Sequence, residues 1–475
     1  MTSDCEVTGL KLIIRFLVAL TLIAMMVSTV NAQPPTLLWS DEVETLDIAL
    51  SKDGQYVVIA AYDPVEVSSQ VQFYGRSSKI PIWTWSPTAG NIHSVAISAD
   101  GDCVVAGTTR LGPNGEVYFW KNARTLTGTP DPSWSSESLG FVYRRCLDIS
   151  DDGDHVVAAG FTGSSADVFY WANAKGLQGD GKPSTWSCGF NNIYSVDLSS
   201  DGDYVAAGVA TSGSLLFGVA YWKNARTLTG DPQAPAWTST KSDSPVVDVA
   251  VSDDGDYVAA AADLDTVYYW AGAKSLSGDP DPTWKSGLGV HFTSLDMSSN
   301  GGSVIAGGVT ISTPNIAVPP EANPDLIETS EVYFWGGARG LTGTPDPSWT
   351  YTITGIVFDV AINTVGDYMA AVTAVLNPEP SKVYFFDIRG NLLWSYELDN
   401  PGWDVSISST GDTLAVGTAS ISTGYLFDTG YSTIKPVGGY VVSINKLSIL
   451  APYLALAGLV AVLSTVAVVR KRSRA

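Results

Sequence analysis

Residues of the kinds that do chemistry are few in this chain, and most recur at fixed spacing. Acids gather in Asp-Gly turns such as Asp151-Asp152-Gly153-Asp154 and Asp253-Asp254-Gly255-Asp256. Several carboxylates so close together can hold Ca²⁺. Asp and Gly are also the ordinary residues of a hairpin turn, and the twelve-residue ligand pattern with its distal Glu is absent. The turn reading is preferred, and no cofactor is expected. A second acidic pattern precedes these turns: Asp47, Asp248, Asp359 and Asp404 lie seven residues before the turn glycine, and Asp148, Asp197 and Asp296 lie five before it. Such a ring around a water-filled channel would collect cations, but hydrogen bonding of each Asp to a neighbouring strand is the commoner use.

The other candidates are weaker. Cys103, Cys146 and Cys188 have no CxxC spacing, so a thiolate metal site is not indicated and at most one disulfide is possible among them. His93, His155 and His291 stand where other repeats carry Tyr, Thr or Val, which suits structural filling. A Ser/His/Asp arrangement would need one of these three, and none sits in a distinctive loop. Five loops share W-x-x-A-[RK]-x-L-x-G and present Arg124, Lys175, Arg226, Lys274 and Arg339 in equivalent places, where pairing with the turn aspartates is expected. The chain is read as a non-enzyme without catalytic residues.

What positions all of these is a repeat. Gly54, Gly101, Gly153, Gly202, Gly255, Gly301, Gly366 and Gly411 anchor eight units spaced by 45 to 65 residues. A period near fifty with turn signals and periodic aromatics marks a β-propeller rather than a helical solenoid. Residues 358–396 show the four strands of one unit, as "FDVAIN", "DYMAAV", "KVYFF" and "NLLWSYEL". Trp39, Trp83, Trp134, Trp186, Trp237, Trp284, Trp349 and Trp394 recur in the fourth strand, and Trp120, Trp171, Trp222, Trp270 and Trp335 end the third. Periodic aromatics are core and rim packing more often than sugar-stacking platforms. The strand holding Trp39 precedes the first complete set, and the last set, ending at "YLFDT", lacks a fourth strand. The two ends therefore complete one blade together, which removes free sheet edges.

The termini suggest placement. Residues 1–32 read as a signal peptide, with Lys11 and Arg15 before an apolar stretch and Val30-Asn31-Ala32 as a cleavage site. Residues 448–469 are an uncharged apolar run long enough to cross a bilayer, and Arg470, Lys471, Arg472 and Arg474 follow in a basic tail, 470–475. The positive-inside rule then gives a single-pass type I protein with its propeller, 35–430, outside the cell and a linker at 431–447. Without Asp4, Glu6, Lys11, Arg15 and the four tail cations, the 48 acids and 26 bases become 46 and 20, a net charge near −26. Nucleic acid is excluded as a partner by that charge.

"SSDGDYVAAG" and "KVYFFDIRGNLLWSY", with the ending "PVGGYVV…APYLALAGLVAVLSTVAVVRKR", resemble WD-repeat and PQQ-like propellers of the archaeal cell-surface type. The resemblance implies an all-β, eight-bladed propeller of four-stranded antiparallel blades with one C-terminal transmembrane helix. It implies architecture rather than activity, since propellers host enzymes, receptors and scaffolds alike. Quinoprotein dehydrogenases of this kind carry an adjacent cysteine pair at the cofactor, and no such pair occurs here. The expected function is that of a membrane-anchored binding or scaffold module for an extracellular protein or glycan. The alternative is a surface oxidoreductase or hydrolase on the same scaffold. One segment, 309–331, breaks the repeat as a long loop, and its Pro319, Glu321, Asp325, Glu328 and Glu331 are the candidate partner-binding residues.

Overall fold

The computed structural model describes residues 34–433, apart from 43, 64–67, 89, 110–114, 162–164, 212–215, 265, 312–326, 376–379 and 420–423, and without the side chains of 310, 311 and 327–329. The signal-peptide, anchor and tail segments and the linker beyond Thr433 lie outside these residues, and among the described residues no helix is long and apolar enough to cross a membrane.

The described residues form eight antiparallel meanders, one per repeat. Blade 1 is typical, with Glu44–Leu50, Tyr56–Asp63, Ser68–Gly75 and Trp83–Trp85 in spatial order. Its second strand, YVVIAAYD, is buried at five consecutive positions, Val57 to Ala61. A strand covered on both faces by adjacent blades reads as a continuous apolar run, with Ala and Gly where sheets approach closely. Because each sheet is an up-and-down meander, first-to-second and third-to-fourth loops share one face of the ring, here called the turn face. Second-to-third loops and blade connections share the other, the connection face.

The turn itself explains the S-x-D-G phrase. Ser51 Oγ donates to Asp53 Oδ1 at 2.6 Å and accepts from Tyr56 N at 3.0 Å, so the Asp is spent within its own turn. Gly54 holds φ at 70°, and a Cβ there would lie 2.6 Å from Thr413 Oγ1 of the preceding blade. Both left-handed backbone and close approach demand glycine.

Two devices lock each blade to the next at the rim. The fourth-strand tryptophan stacks on its own third strand, as Phe73 and Trp83 do at 5.2 Å, and donates its indole N–H to the following blade. Trp83, Trp134, Trp186, Trp237 and Trp284 donate to the carbonyls of Ala123, Ala174, Ala225, Ala273 and Ala338 at 2.9–3.0 Å. Those alanines sit in the five W-x-x-A-[RK] loops, whose shared sequence is thereby explained. Trp349, Trp394 and Trp39 reach Ile388, Thr429 and Arg76 in the same way.

The ring closes as the order of pieces predicts. Thr36–Asp41 pairs antiparallel with Gly424–Asp428, with Leu37 opposite Phe427, Trp39 opposite Leu426 and Ser40 opposite Tyr425. Two features depart from the repeat. Gly179–Lys182, from the third blade, adds a parallel fifth strand outside Trp134–Ser136 of the second. The segment 309–331 is not wholly loop, because Ser303–Ile311 and Ile327–Gly336 extend their ladder to Ile311 opposite Ile327. Glu328 and Glu331 are therefore strand residues.

Candidate functional site

First strands lie innermost and line a central channel. In seven blades the ladder slips just before the seventh residue ahead of the turn glycine, as between Thr45 and Asp47 or Val357 and Asp359. A bulge of this kind re-aims the side chains beside it. The two acidic positions thereby face the next blade and the channel. Asp47 Oδ2 accepts from Val95 N at 2.8 Å, Asp248 Oδ2 from Leu295 N at 3.0 Å, Asp359 Oδ2 from Val405 N at 3.0 Å and Asp404 Oδ2 from Ile48 N at 2.8 Å. The inner set repeats the bond one step along, with Asp148, Asp197 and Asp296 accepting from Leu198, Val251 and Ile362. Serine substitutes where Asp is missing, as Ser406 does for Leu50 N. The structural use of these acids is as expected from the sequence.

The sequence reading missed what neutralises them. Blade 3 begins late, at Leu147, and the connection ahead of it sends Arg144 and Arg145 into the channel. Arg145 Nη2 lies 2.8 Å from Asp359 Oδ1 and Nη1 3.5 Å from Asp248 Oδ2, while its N–H groups also donate to the carbonyls of Thr293 and Phe358. Arg144 Nη2 lies 3.1 Å from Asp404 Oδ1 and 3.3 Å from Asp359 Oδ2. Two residues of one blade thus tie together blades 5 to 8. Arg145 has φ 62°, a left-handed backbone that a non-glycine residue adopts only when its surroundings dictate it. The sequence signal was available: in this blade the pair Arg144-Arg145 replaces the usual apolar residues, and Cys146 stands where four other blades carry Asp.

At the turn face the channel mouth is crossed by Lys52, whose Nζ is 2.7 Å from Asp151 and 3.3 Å from Asp253 and also meets Ser200 Oγ at 3.0 Å. Between Lys52 and the arginines remains a cavity of about 430 Å³ walled by Asp148, Asp197 and Asp296 among others. Burial opposes the charge on Arg144, but Asp404, Asp359, Asp47 and Asp248 outweigh it and hold the guanidinium firmly cationic. The inner acids lack such partners. Burial pushes Asp296 up to about 7 and Asp359, despite its arginines, up to about 6. Asp148 and Asp197 contact one another, and burial raises both, with the neighbouring Asp148 carboxylate raising Asp197 further.

The acids of this arrangement accept from backbone N–H groups of neighbouring strands and from the channel arginines. No histidine or cysteine is among the described residues lining the cavity. Cys103, Cys146 and Cys188 are free and buried, with burial raising their thiols to about 12, 12 and 11. Burial lowers His93 and His155, the latter stacked on Tyr170 at 5.9 Å. Among the described residues no group of acids, histidines and cysteines has the geometry of a metal site. Of the loop cations, Arg124 pairs with Asp102 at 3.1 Å, Arg226 with Asp203 at 3.3 Å and Lys274 with Asp254 at 3.9 Å, whereas Lys175 donates to the Asp152 carbonyl and Arg339 lies over the Tyr257 ring.

Of the candidate partner-binding residues, Pro319, Glu321 and Asp325 lie outside the described residues, and only the backbone of Glu328 is described. Glu331 sits in its strand and accepts from Tyr333 Oη at 2.6 Å and Thr352 Oγ1 at 3.3 Å. The connection face, from which this hairpin projects, also carries exposed Tyr143, Leu216 and Leu264. Trp403, stacked on Phe358 at 4.9 Å and under Arg144 at 5.8 Å, stands at the channel rim on that side.

No family model matches the chain, and no curated protein matches it in sequence. Solved structures match in fold. The C-terminal WD40 domain of Sif2 superposes with a TM-score of 0.54 at 13% identity, covering 83% of this chain and 98% of that one. BamB from Moraxella catarrhalis gives 0.52 at 15% identity, with the same coverage of 83% and 98%. The chain has the WD40/BamB-like eight-bladed propeller fold.

Proposed function

We propose that this protein is a cell-surface interaction module that holds a protein partner on the connection face of its propeller. The observation that carries the reading is the pairing of a channel filled by Arg144, Arg145 and Lys52 with exposed Tyr143, Leu216 and Leu264 on one face. A rigid ring whose axial cavity is walled by its own ion pairs offers surface rather than reaction chemistry. Large apolar side chains left in water suit protein contact; Ile80 and Ile388 are also exposed, on the turn face, which the proposed anchor directs to the membrane. The WD40 and BamB-like folds agree with a scaffold role at the level of architecture. Strands Ser303–Ile311 and Ile327–Gly336 end on the same face, and the sequence between them adds Glu321 and Asp325, acids that favour a partner with a basic rim.

The placement follows from the ends. An export signal at 1–32 and an anchor at 448–469 put the propeller outside the cell on a single type I span. The described chain ends against the turn face, where Thr433 N donates to Thr410 O at 2.7 Å. Only 14 residues separate Thr433 from the proposed anchor, which favours a turn face toward the membrane and a connection face outward. The test is co-purification from intact cells. Leu216→Asp with Leu264→Asp should abolish recovery of a partner that Ile80→Asp with Ile388→Asp, on the turn face, leaves intact. Equal recovery from both pairs would refute the assignment of the binding face.

A further inference from the structure

Two of the 15 tryptophans stand outside the periodic set, Trp85 and Trp403. Trp85 lines a cavity of about 860 Å³ on the outer rim of blades 1 and 2, separate from the channel and reaching the connection face at Ser86 and Thr88. Its ring lies 4.6 Å from that of Tyr118, and both remain partly exposed. The equivalent third-strand tyrosines in blades 5 to 8 are covered: Tyr268, Tyr333, Tyr384 and Tyr425 are 2–8% exposed. Only around Tyr118, among these, does the aromatic surface open onto a groove. The opposite wall comes from the fifth strand of blade 2, where Asp180 accepts from Ser135 Oγ at 3.4 Å. Glu116, Asp131 and Glu137 add further carboxylates, Ser86 and Thr129 add hydroxyls, and among the described residues no cation lines the groove.

We infer that this groove binds a neutral saccharide chain. A pyranose presents a face of weakly positive C–H groups and a rim of hydroxyls. The first suits the negative face of an aromatic ring, and the second suits carboxylates that accept paired O–H groups. A cationic head group fits less well, because a cage needs rings facing one another across a gap. Here the two rings are packed side by side at 50° and offer a platform. The shape matches a chain because the groove runs from a blade connection at Ser86 and Thr88 to Asp131 in the third-to-fourth loop and Asp180 in the fifth strand.

The test uses the purified full chain on an array of neutral oligosaccharides of the gluco, manno, galacto and N-acetylhexosamine series, followed by titration calorimetry with the best binder. Wild type should bind at least one series, and Trp85→Ala should weaken that binding at least tenfold. Since Trp85 also packs on Trp120, Glu137→Gln and Asp131→Asn serve as exposed variants that leave thermal unfolding unchanged and weaken binding severalfold. No binding by wild type, or binding untouched by all three substitutions, would overturn the inference. Capture of choline or oligolysine in place of sugar, lost in the same variants, would overturn it as well.

Discussion

Arg145 Nη2 and Asp359 Oδ1 meet at 2.8 Å across the axis of the ring, from blades 3 and 7. Neither residue lies near the other along the chain, and the pair is mostly screened from solvent. Removing one partner of such a bridge strands the other's charge, at a cost of about 3–5 kcal/mol. Arg145→Ala should lower the free energy of unfolding by about that amount, and Arg145→Lys should recover only part of it. A point-like ammonium cannot serve Asp359 and the carbonyls of Thr293 and Phe358 together. Denaturant unfolding of the two variants checks the order.

The inner acids predict how stability moves with pH. Asp296 is held up to about 7 in the fold, against an ordinary carboxyl near ~4 in the unfolded chain. Between those values the folded state holds the extra proton, so stability falls as pH rises from about 4 to 7. Turn acids such as Asp152 and Asp254, whose hydrogen bonds from Ser150 and Ser252 and from backbone N–H groups lower them despite partial burial, act below that window and in the opposite sense. Asp296→Asn should flatten the decline between pH 5 and 8 in thermal unfolding scans. A wild type that gains stability over that interval would contradict the assignment.

The rim tryptophans are separable into packing and hydrogen bonding. Trp284→Phe keeps a ring against Tyr269 but leaves the Ala338 carbonyl without its indole donor, and should cost about 1–3 kcal/mol. Trp284→Ala should cost about 3–5 kcal/mol because the buried volume is lost too. An unchanged stability in Trp284→Phe would show that the bond to the next blade contributes nothing, and equal losses would show that the buried volume does not.

Ring closure predicts the effect of a short truncation. Deleting residues 36–41 strips Gly424–Asp428 of its outer partner and exposes an edge backed by Tyr425 and Phe427. The truncated protein should unfold at lower temperature and associate in a concentration-dependent way, seen by light scattering. A monomer of unchanged stability would mean that the terminal strand is dispensable.

How much of this was legible in the sequence follows from symmetry. Turn glycines, second-strand alanines and rim tryptophans recur because each blade meets an almost identical neighbour, so their spacing gave blade number and closure directly. The bonding role of Asp47, Asp148 and their equivalents was readable for the same reason. Arg144 and Arg145 were not, because one pair at the axis serves several blades at once and therefore occurs in a single repeat. Trp85 was hidden similarly, its partial exposure depending on a strand borrowed from blade 3. The segment 309–331 misled through its prolines, which mark a loop but do not reveal that the ladder continues to Ile311 and Ile327.

The central claim is that recognition takes place on the connection face. It is tested most directly by photo-crosslinking in intact cells, with a photoreactive amino acid placed singly at Leu216 or Leu264 on that face and at Ile80 or Ile388 on the turn face, all four exposed. A discrete adduct of one mass from the first two positions and none from the others is the predicted result. Adducts confined to Ile80 and Ile388 would contradict it.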